Sequence, residues 1–367
     1  MMKVALAHDY LVNRGGAERV TLALHRIWPD APLYTALYRA GDTFDEFERA
    51  LVRVSSLQRI DRGGEFRRLL PLFGRAFRSM RIDDADVLIS SSSAFAHHLR
   101  GRRACHIAYM HSPPRFLWDE RYDHRALTPR WAMPLLGPTL SALRRADLRA
   151  VAAVHTLVAN GARTAAAIAR IYGREPTIVH PPVDTHRFEA TPPAGEQYLM
   201  VGRLLAHRNQ HLAVQAFTDM KRRLVVVGDG PERAALESIA GPTVEFAGVL
   251  DEESLARAYR DARAVIVPGE EDLGIVALEA NASGRPVVAL GAGGALETVV
   301  DGWTGVLFQE ETPEAIAAAV ERADALTFDL NGLRANAERF SFEVFADRMR
   351  ALVAASKDCA RCASERA

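Results

Sequence analysis

The chain lacks any apolar run long enough to span a bilayer, and Met1–Ala7 is too short for a secretory signal. It also lacks net charge: Lys+Arg and Asp+Glu are both 46, which removes the electrostatic case for a nucleic-acid partner. Cysteine is scarce, with three in 367 residues. Cys105 stands alone, and Cys359 and Cys362 form a single CxxC in a polar C-terminal tail. One such pair without a second is a weak metal or redox signal, and a reduced, frayed tail is the plainer reading. Repeats of solenoid period and low-complexity segments are absent too. A cytoplasmic protein is expected, in two domains of ordinary size with separate cores.

What the chain does have is strands that end in glycine-rich turns and lead into helices. Lys3–His8 is a short apolar strand, and Asn13–Glu18, with Gly15 and Gly16, turns it into a helix over Arg19–Ile27. That layout aims free backbone N–H groups at an anion, although glycine is also ordinary in any tight turn. Further strands are read at Leu33–Leu37, Val52–Val54, Asp86–Ser90, Cys105–Met110, His155–Ala159 and Thr177–His180. Ser91, Ser92 and Ser93 follow a strand end and either face a cleft or cap a helix. His111 also follows a strand, in a loop stiffened by Pro113 and Pro114.

The rhythm repeats after Val183–Glu196, which reads as an interdomain link. Tyr198–Val201 ends at Gly202-Arg203, Arg223–Val227 at Gly228-Asp229-Gly230, and Val244–Phe246 at Gly248-Val249-Leu250. Ala264–Val267 then meets Pro268-Gly269. Helices are expected over Leu212–Asp219, Glu232–Ile239, Glu252–Ala262 and Leu296–Val300, with a final one near Phe342–Ala355. The pattern predicts α/β architecture with two doubly wound parallel-sheet domains. The expected boundaries are 1–183, 184–340, a helix 341–356 packing back toward the first domain, and a flexible tail 357–367.

The segment from Pro268 to Ala289 concentrates the chemistry. Glu270, Glu271 and Asp272 precede a helix that should start near Gly274 and stop at Gly284-Arg285-Pro286. Glu279 lies three and four residues after Val276 and Ile275, on the same apolar side. A carboxylate there is either misplaced or waiting for a polar ligand. Arg203 and Arg208 share one loop and suit a phosphate clamp. Carboxylates at 271 and 279 suit vicinal hydroxyls, and the N–H groups of Gly274 and Ile275 suit an electron-rich oxygen.

In Gln58–Ile82 arginines alternate with Phe66, Leu69, Leu70, Leu72, Phe73, Phe77 and Met80, interrupted by Pro71. It reads equally as a basic amphipathic segment resting on an anionic membrane and as a helix pair with a solvated arginine face.

Glu271-x7-Glu279 followed by Gly284-Arg285-Pro286-Val287-Val288 resembles the signature of the retaining glycosyltransferases of family 4, which have the GT-B fold. Gly202-Arg203-Leu204, Gly228-Asp229-Gly230-Pro231 and Gly291–Glu297 are similar to the same family. Tyr109–Asp119 and Pro181–Asp184 look like the GDP-mannose-dependent mannosyltransferases of O-antigen and exopolysaccharide assembly. The resemblance implies two Rossmann-like domains facing across a cleft, the first for the acceptor and the second for the nucleotide sugar.

It implies that Glu271 holds the donor-sugar hydroxyls, Glu279 the ribose, Arg203 and Arg208 the diphosphate, and that His111 faces the sugar. Gly15, Gly16, Gly202, Gly228, Val249, Leu250, Asp272, Leu273, Gly274, Ile275 and Val276 would complete the donor site. Arg208 stands where the motif usually has lysine, and Gly161 where serine is common. The implied partners are a nucleotide-sugar donor and a saccharide or polyprenyl-linked acceptor, with membrane contact through 58–82. No carboxylate is an obvious nucleophile, so front-face substitution is expected. No metal-binding DxD-like pair follows a strand at a suitable place, so neither metal nor other cofactor is expected. A sugar-nucleotide epimerase, a UDP-sugar transferase and a non-catalytic nucleotide-sugar-binding protein are the rival readings. A nicotinamide dehydrogenase is more distant, since the first glycine loop lacks the three-glycine spacing.

Overall fold

The computed structural model describes residues 2–356 except 62, 64, 65, 83, 102, 120, 121, 123–132, 193 and 194. Cys359, Cys362 and the tail expected at 357–367 lie outside the described residues, as do parts of the arginine-rich stretch. Contacts divide the chain into two compact units: Met1–Pro181 with the chain from Phe345 onward, and Pro182–Val344.

The first unit is built on seven parallel strands: β1 (Val4–His8), β2 (Leu33–Thr35), β3 (Val52–Val54), β4 (Val87–Ser92), β5 (Cys105–Met110), β6 (Thr156–Ala159) and β7 (Thr177–Ile178). Their order is β3-β2-β1-β4-β5-β6-β7. The order reverses between β1 and β4, which makes that edge-to-edge junction the switch point where ligands collect in open α/β sheets. β1, β4 and β5 are buried along their whole length, as an apolar run in the middle of a covered parallel sheet must be. Helices α1 (Gly16–Ile27), α2 (Leu70–Ser79), α3 (Arg115–Trp118), α4 (Met133–Ala152) and α5 (Ala162–Tyr172) accompany them.

The arginine-rich stretch resolves into a 3₁₀ turn, Phe66–Leu69, running into α2, with Pro71 in the first turn where its missing N–H costs nothing. Phe73, Ala76 and Phe77 of α2 are buried in the core with Leu88, Phe95 and Leu99. The rings that a membrane would receive are therefore spent on the first unit's own core. Leu72 and Ile60 remain exposed. Among the described residues no helix is long and apolar enough to cross a membrane.

The second unit has six parallel strands: β8 (Gln197–Val201), β9 (Leu224–Val227), β10 (Val244–Gly248), β11 (Ala262–Val267), β12 (Val287–Leu290) and β13 (Gly305–Phe308). Their order is β10-β9-β8-β11-β12-β13, with the switch point between β8 and β11. Helices α6 (Gln210–Met220), α7 (Arg233–Ile239), α8 (Glu252–Asp261), α9 (Ile275–Ala282), α10 (Ala295–Thr298), α11 (Pro313–Ala325) and α12 (Leu330–Glu338) surround it. Helix α13 (Phe342–Ala355) follows, and from Phe345 its residues belong to the first unit, where the Phe345 ring meets Tyr109 edge-on at 6.0 Å. β13, α11 and α12 have no counterpart in the sequence reading.

The segment read as a link is instead part of the second unit. Val183 N–H donates to Phe340 O at 2.8 Å, and the buried Phe188 ring meets Tyr259 at 5.4 Å. Arg285 fastens the same segment. Its guanidinium is fully buried, and its partners are carbonyls: Nε donates to Ser283 O at 3.2 Å, Nη1 to Ala262 O at 3.1 Å, and Nη2 to Thr191 O. The arginine of Gly284-Arg285-Pro286 thus joins the end of α9, the start of β11 and the incoming chain. Burial lowers its pKa to about 10, which leaves it charged at neutral pH. Replacing Arg285 by methionine keeps the apolar stem but strands three buried carbonyls. We expect urea unfolding of R285M to report a loss of about 3 kcal/mol with an unchanged denaturant slope.

Candidate active site

In the second unit the groups singled out by sequence gather on the carboxyl rim of β8 and β11. Arg208 Nη1 donates to Glu271 Oε1 at 2.5 Å. The side chains of this ion pair are 30% and 13% exposed. Burial raises the Glu271 pKa, and the charge and hydrogen bond of Arg208 pull it back only in part. Arg208 Nε is buried without a hydrogen-bond partner. A narrow cavity beside it is lined by Val201, Arg208, Gln210, Gly269 and Glu271.

The loops approach so closely that side chains are excluded. A Cβ on Gly269 would strike the backbone of Arg208, and one on Gly228 would strike Gly202. The loop that carries Glu271 is braced in turn, since its carbonyl accepts the Gly294 N–H at 2.8 Å. Gly274 sits at the N-cap of α9 with φ 82°, a left-handed conformation that a side chain would strain, and offers no capping side chain. The first N–H groups of α9 therefore carry the helix's positive end without a side-chain acceptor.

The remaining assignments separate. Arg203 is exposed on the loop whose shape Gln210 holds: its Oε1 accepts from Leu205 N at 3.1 Å and its Nε2 donates to Arg203 O at 3.4 Å. Val249 projects from the end of β10 with 77% exposure, while Leu250 is half-buried and Asp272 exposed. Ile275 is exposed and Val276 half-buried. Leu273 has its side chain buried in a cluster with Val183, Leu278 and Phe340, which leaves its backbone for a ligand. Glu279 is half-buried and not misplaced, for Tyr259 of α8 donates to its Oε2 at 2.7 Å. Tyr259 is fully buried, and sequence spacing gave no sign of it.

In the first unit the polar groups also cluster at a switch point, between β1 and β4. Asp9 accepts four backbone N–H groups, from Ser93 at 2.5 Å, Ala94 at 2.8 Å, Phe95 at 2.7 Å and Ala96 at 2.6 Å. Ser91 and Ser92 are the last residues of β4, not a cap, and each serine of Ser90–Ser92 meets a histidine: Ser90 with His106 at 2.8 Å, Ser91 with His111 at 2.8 Å, and Ser92 with His97 at 2.9 Å. Gly15 caps α1 and Gly16 opens it; a Cβ on Gly15 would sit 2.5 Å from Glu18 Oε2. His8, Asp9 and Glu18 were not singled out by sequence. Their register is the missing signal, because His8 lies opposite Ser91 in the β1–β4 ladder.

Among the described residues, His97, His98 and Asp147 bring potential metal-ligand atoms within 4.8 Å of one another. Their hydrogen bonds argue for a polar hub. Asp147 accepts from Trp118 Nε1 and Tyr172 Oη, both at 2.8 Å, and pairs with His97 Nε2 at 2.8 Å. Arg78 Nη1 donates to His98 Nδ1 at 3.0 Å, which leaves the His98 proton on Nε2 where a metal would need a lone pair. Although burial opposes the charge, donation from His97, His98 and Trp118 holds the Asp147 pKa well below the usual carboxylate range.

Residues 195–324 match the family profile described as Glycosyl transferases group 1. The D-inositol 3-phosphate glycosyltransferase of Geodermatophilus obscurus is 31% identical over 291 residues, 65% of this chain and 65% of that protein. The GDP-mannose-dependent alpha-(1-6)-phosphatidylinositol monomannoside mannosyltransferase of Mycolicibacterium smegmatis is 32% identical over 189 residues, 43% of this chain and 50% of that protein. The chain spans 57%, 65% and 56% of the length of three inositol-phosphate glycosyltransferases it matches. HepE of Anabaena, solved with UDP and glucose, superposes with a TM-score of 0.69 at 18% identity, covering 97% of this chain and 100% of that one. The lipopolysaccharide galactosyltransferase WaaB gives 0.70 at 14% identity, covering 97% and 100%.

Burial drives several imidazoles down from their ordinary 6.5: His98 to about 4, and His106 and His111 to about 3. A lowered folded pKa means the unfolded chain binds these protons first, so the stabilisation is whole above pH 6.5 and is lost as pH falls toward the folded values. Between pH 6 and 4.5 we expect unfolding to take up about three protons, a slope near 4 kcal/mol per pH unit in urea titrations. A second expectation concerns Glu271. Substituting Arg208 by methionine removes what lowers its pKa, so carbon-detected NMR titration should find the Glu271 carboxyl titrating at higher pH than in the parent protein. Residues 195–324 of the second unit thus match the glycosyl transferases group 1 profile, in a chain whose two units have the α/β fold of the GT-B glycosyltransferases.

Proposed function

We propose that the protein is a retaining glycosyltransferase of family 4 that moves a hexosyl group from a nucleotide sugar to a saccharide or lipid-linked saccharide, and that the donor is GDP-mannose. The observation that carries the reading is the rim of β8 and β11, where Arg208, Glu271 and the uncapped start of α9 meet at a switch point. A nucleoside diphosphate needs positive charge and free N–H groups, and a hexose needs a fixed carboxylate; this rim holds all of them. The match over 195–324 supports the transferase class. The mycobacterial relative named for GDP-mannose supports the donor.

In this reading Glu271 accepts hydroxyls of the transferring sugar, oriented by Arg208. Glu279 takes the ribose while Tyr259 fixes the carboxylate. Arg203, Arg208 and the N–H groups of Gly274 and Ile275 receive the diphosphate, with Gly202, Gly228, Val249, Leu250, Asp272, Leu273 and Val276 in the surrounding shell. In the first unit, Gly15 and Gly16 are assigned to phosphate and His111 to the sugar. The bond from the anomeric carbon to the phosphate oxygen breaks as the bond to the acceptor oxygen forms on the same face. The acceptor proton leaves on the diphosphate, whose charge the guanidinium groups and helix end offset. No step calls on a metal or other cofactor.

We further propose a role in cell-surface polysaccharide assembly in the cytoplasm, with peripheral attachment to the inner face of the membrane through residues 58–82. With the rings of α2 buried, that attachment would rest on arginine and on Leu72 and Ile60. Flotation with anionic liposomes should then be abolished by high salt.

Thermal-shift measurements with GDP, UDP and ADP and their sugars test the donor, because a ligand of the native state raises its apparent stability. GDP-mannose should raise Tm most, and stabilisation by UDP sugars alone would overturn the mannosyl reading. Glu271→Ala should lower kcat/KM at least about a hundredfold while leaving the circular dichroism spectrum unchanged. Turnover should persist in EDTA. Loss that magnesium restores would refute the metal-independent step.

A further inference from the structure

A line of polar atoms runs through the first unit from the start of α1 to His111. Glu18 Oε1 lies 3.7 Å from His8 Nε2, with both side chains almost wholly buried. His8 Nδ1 lies 3.1 Å from Ser91 O and 3.2 Å from Ser91 Oγ. Ser91 Oγ is 2.8 Å from His111 Nε2 and 3.0 Å from Thr21 Oγ1, whose hydroxyl lies equally 3.0 Å from Ala17 O. Four elements supply these groups: β1, α1, β4 and the loop after β5.

Donor and acceptor roles along the line follow from what each atom can do. The Ser91 carbonyl can only accept, so His8 Nδ1 carries a proton. His8 Nε2 is buried with no hydrogen-bond partner, and the nearest group to it is a carboxylate; a lone pair there would be repelled, so that nitrogen is protonated too. Burial opposes a charged His8, but Glu18, then Asp9, outweigh it and raise its pKa. His8 is then a donor at both ends. With His8 Nδ1–H directed at its oxygen and the Thr21 proton shared between Ala17 O and Ser91 Oγ, the Ser91 hydroxyl sends its own proton along its shortest contact, 2.8 Å to His111 Nε2. A ring that accepts at Nε2 holds its proton at Nδ1.

We propose that Glu18, His8 and Ser91 are positioning residues that hold His111 as the neutral Nδ1–H tautomer, so that its free ring nitrogen donates to a ligand oxygen. Thr164 Oγ1, donating to His111 O at 3.0 Å, fixes the backbone of the same residue. The class of ligand atom follows: a sugar or phosphate oxygen with a lone pair, and not a hydroxyl in need of an acceptor. The ligand part of this inference rests on the proposed transferase reading; the tautomer does not.

The test is long-range proton–nitrogen correlation of the imidazoles in the full-length, nitrogen-15-labelled protein at pH 7, with H111Q to identify the His111 signals. The expected result is a protonated Nδ1 and a bare Nε2 at His111, together with a doubly protonated His8. Finding Nε2–H at His111, or a neutral His8, overturns the proposal from the parent spectrum alone. Ser91→Ala and Glu18→Gln should each mix the His111 tautomers, and an unchanged spectrum in folded S91A also overturns it. In turnover, S91A should lower kcat at least about tenfold while the Tm shift by the donor nucleotide stays the same. If no nucleotide sugar binds and yet His111 reads as Nδ1–H, the transferase reading falls and the relay stands.

Discussion

A parallel sheet covered on both faces leaves polar side chains little room except its carboxyl-end rim, and each one buried there must find a partner. Both units obey this constraint in the same place, the switch point of strand order. In the first unit Asp9 meets it with backbone N–H groups and Ser91 with histidines. In the second, Glu271 meets it with a single guanidinium that still leaves its own Nε unpartnered. A carboxylate held by one partner, in a tight loop, is poorly solvated and ready to exchange water-like partners for ligand hydroxyls. The Asp9 carboxylate is the opposite case. With four N–H donors it has little capacity to spare, and its task is to shape the chain between β4 and the following turn.

The strand ends were legible because parallel strands are short apolar runs and their exits are marked by glycine. Glu271 and Arg208 were legible for the same reason, as charged residues just past such exits. Partners from other elements were not. Nothing in the spacing around Tyr259 tells that its hydroxyl reaches Glu279, because the contact depends on how α8 packs beside α9. Ser91–Ser93 were read as following the strand, facing a cleft or capping a helix, yet β4 continues through Ser92, since a strand can carry hydroxyls when neighbouring histidines complete them. The amphipathic stretch at 58–82 shows a further limit. Its apolar periodicity is real, but composition alone does not say whether lipid or the protein core covers the apolar face, and for Phe73 and Phe77 the core does.

Arginine in place of lysine at 208 has a geometric meaning in this setting. A lysine ammonium is a compact point charge on a flexible stem. The planar guanidinium can bond Glu271 with one nitrogen and keep other donors pointing elsewhere, so a single side chain can hold this carboxylate and still donate to a second acceptor. The glycine at 202 leaves the room that this larger group occupies: a Cβ there would lie 2.9 Å from Arg208 Nη1.

The buried Arg285 bears on where the second unit begins. Counting strands would start it at β8, at Gln197, and would discard what precedes as connecting chain. Yet the carbonyl of Thr191 is one of the three acceptors of a guanidinium that has no carboxylate partner, and Arg334 Nη1 reaches back to Phe188 O at 2.7 Å. Cutting the gene at 197 would therefore leave a permanent positive charge in an apolar interior with an acceptor missing, and the fragment would come out of the cell aggregated. Beginning at Pro182 keeps the anchor, so the excisable module is longer at its amino end than its sheet suggests.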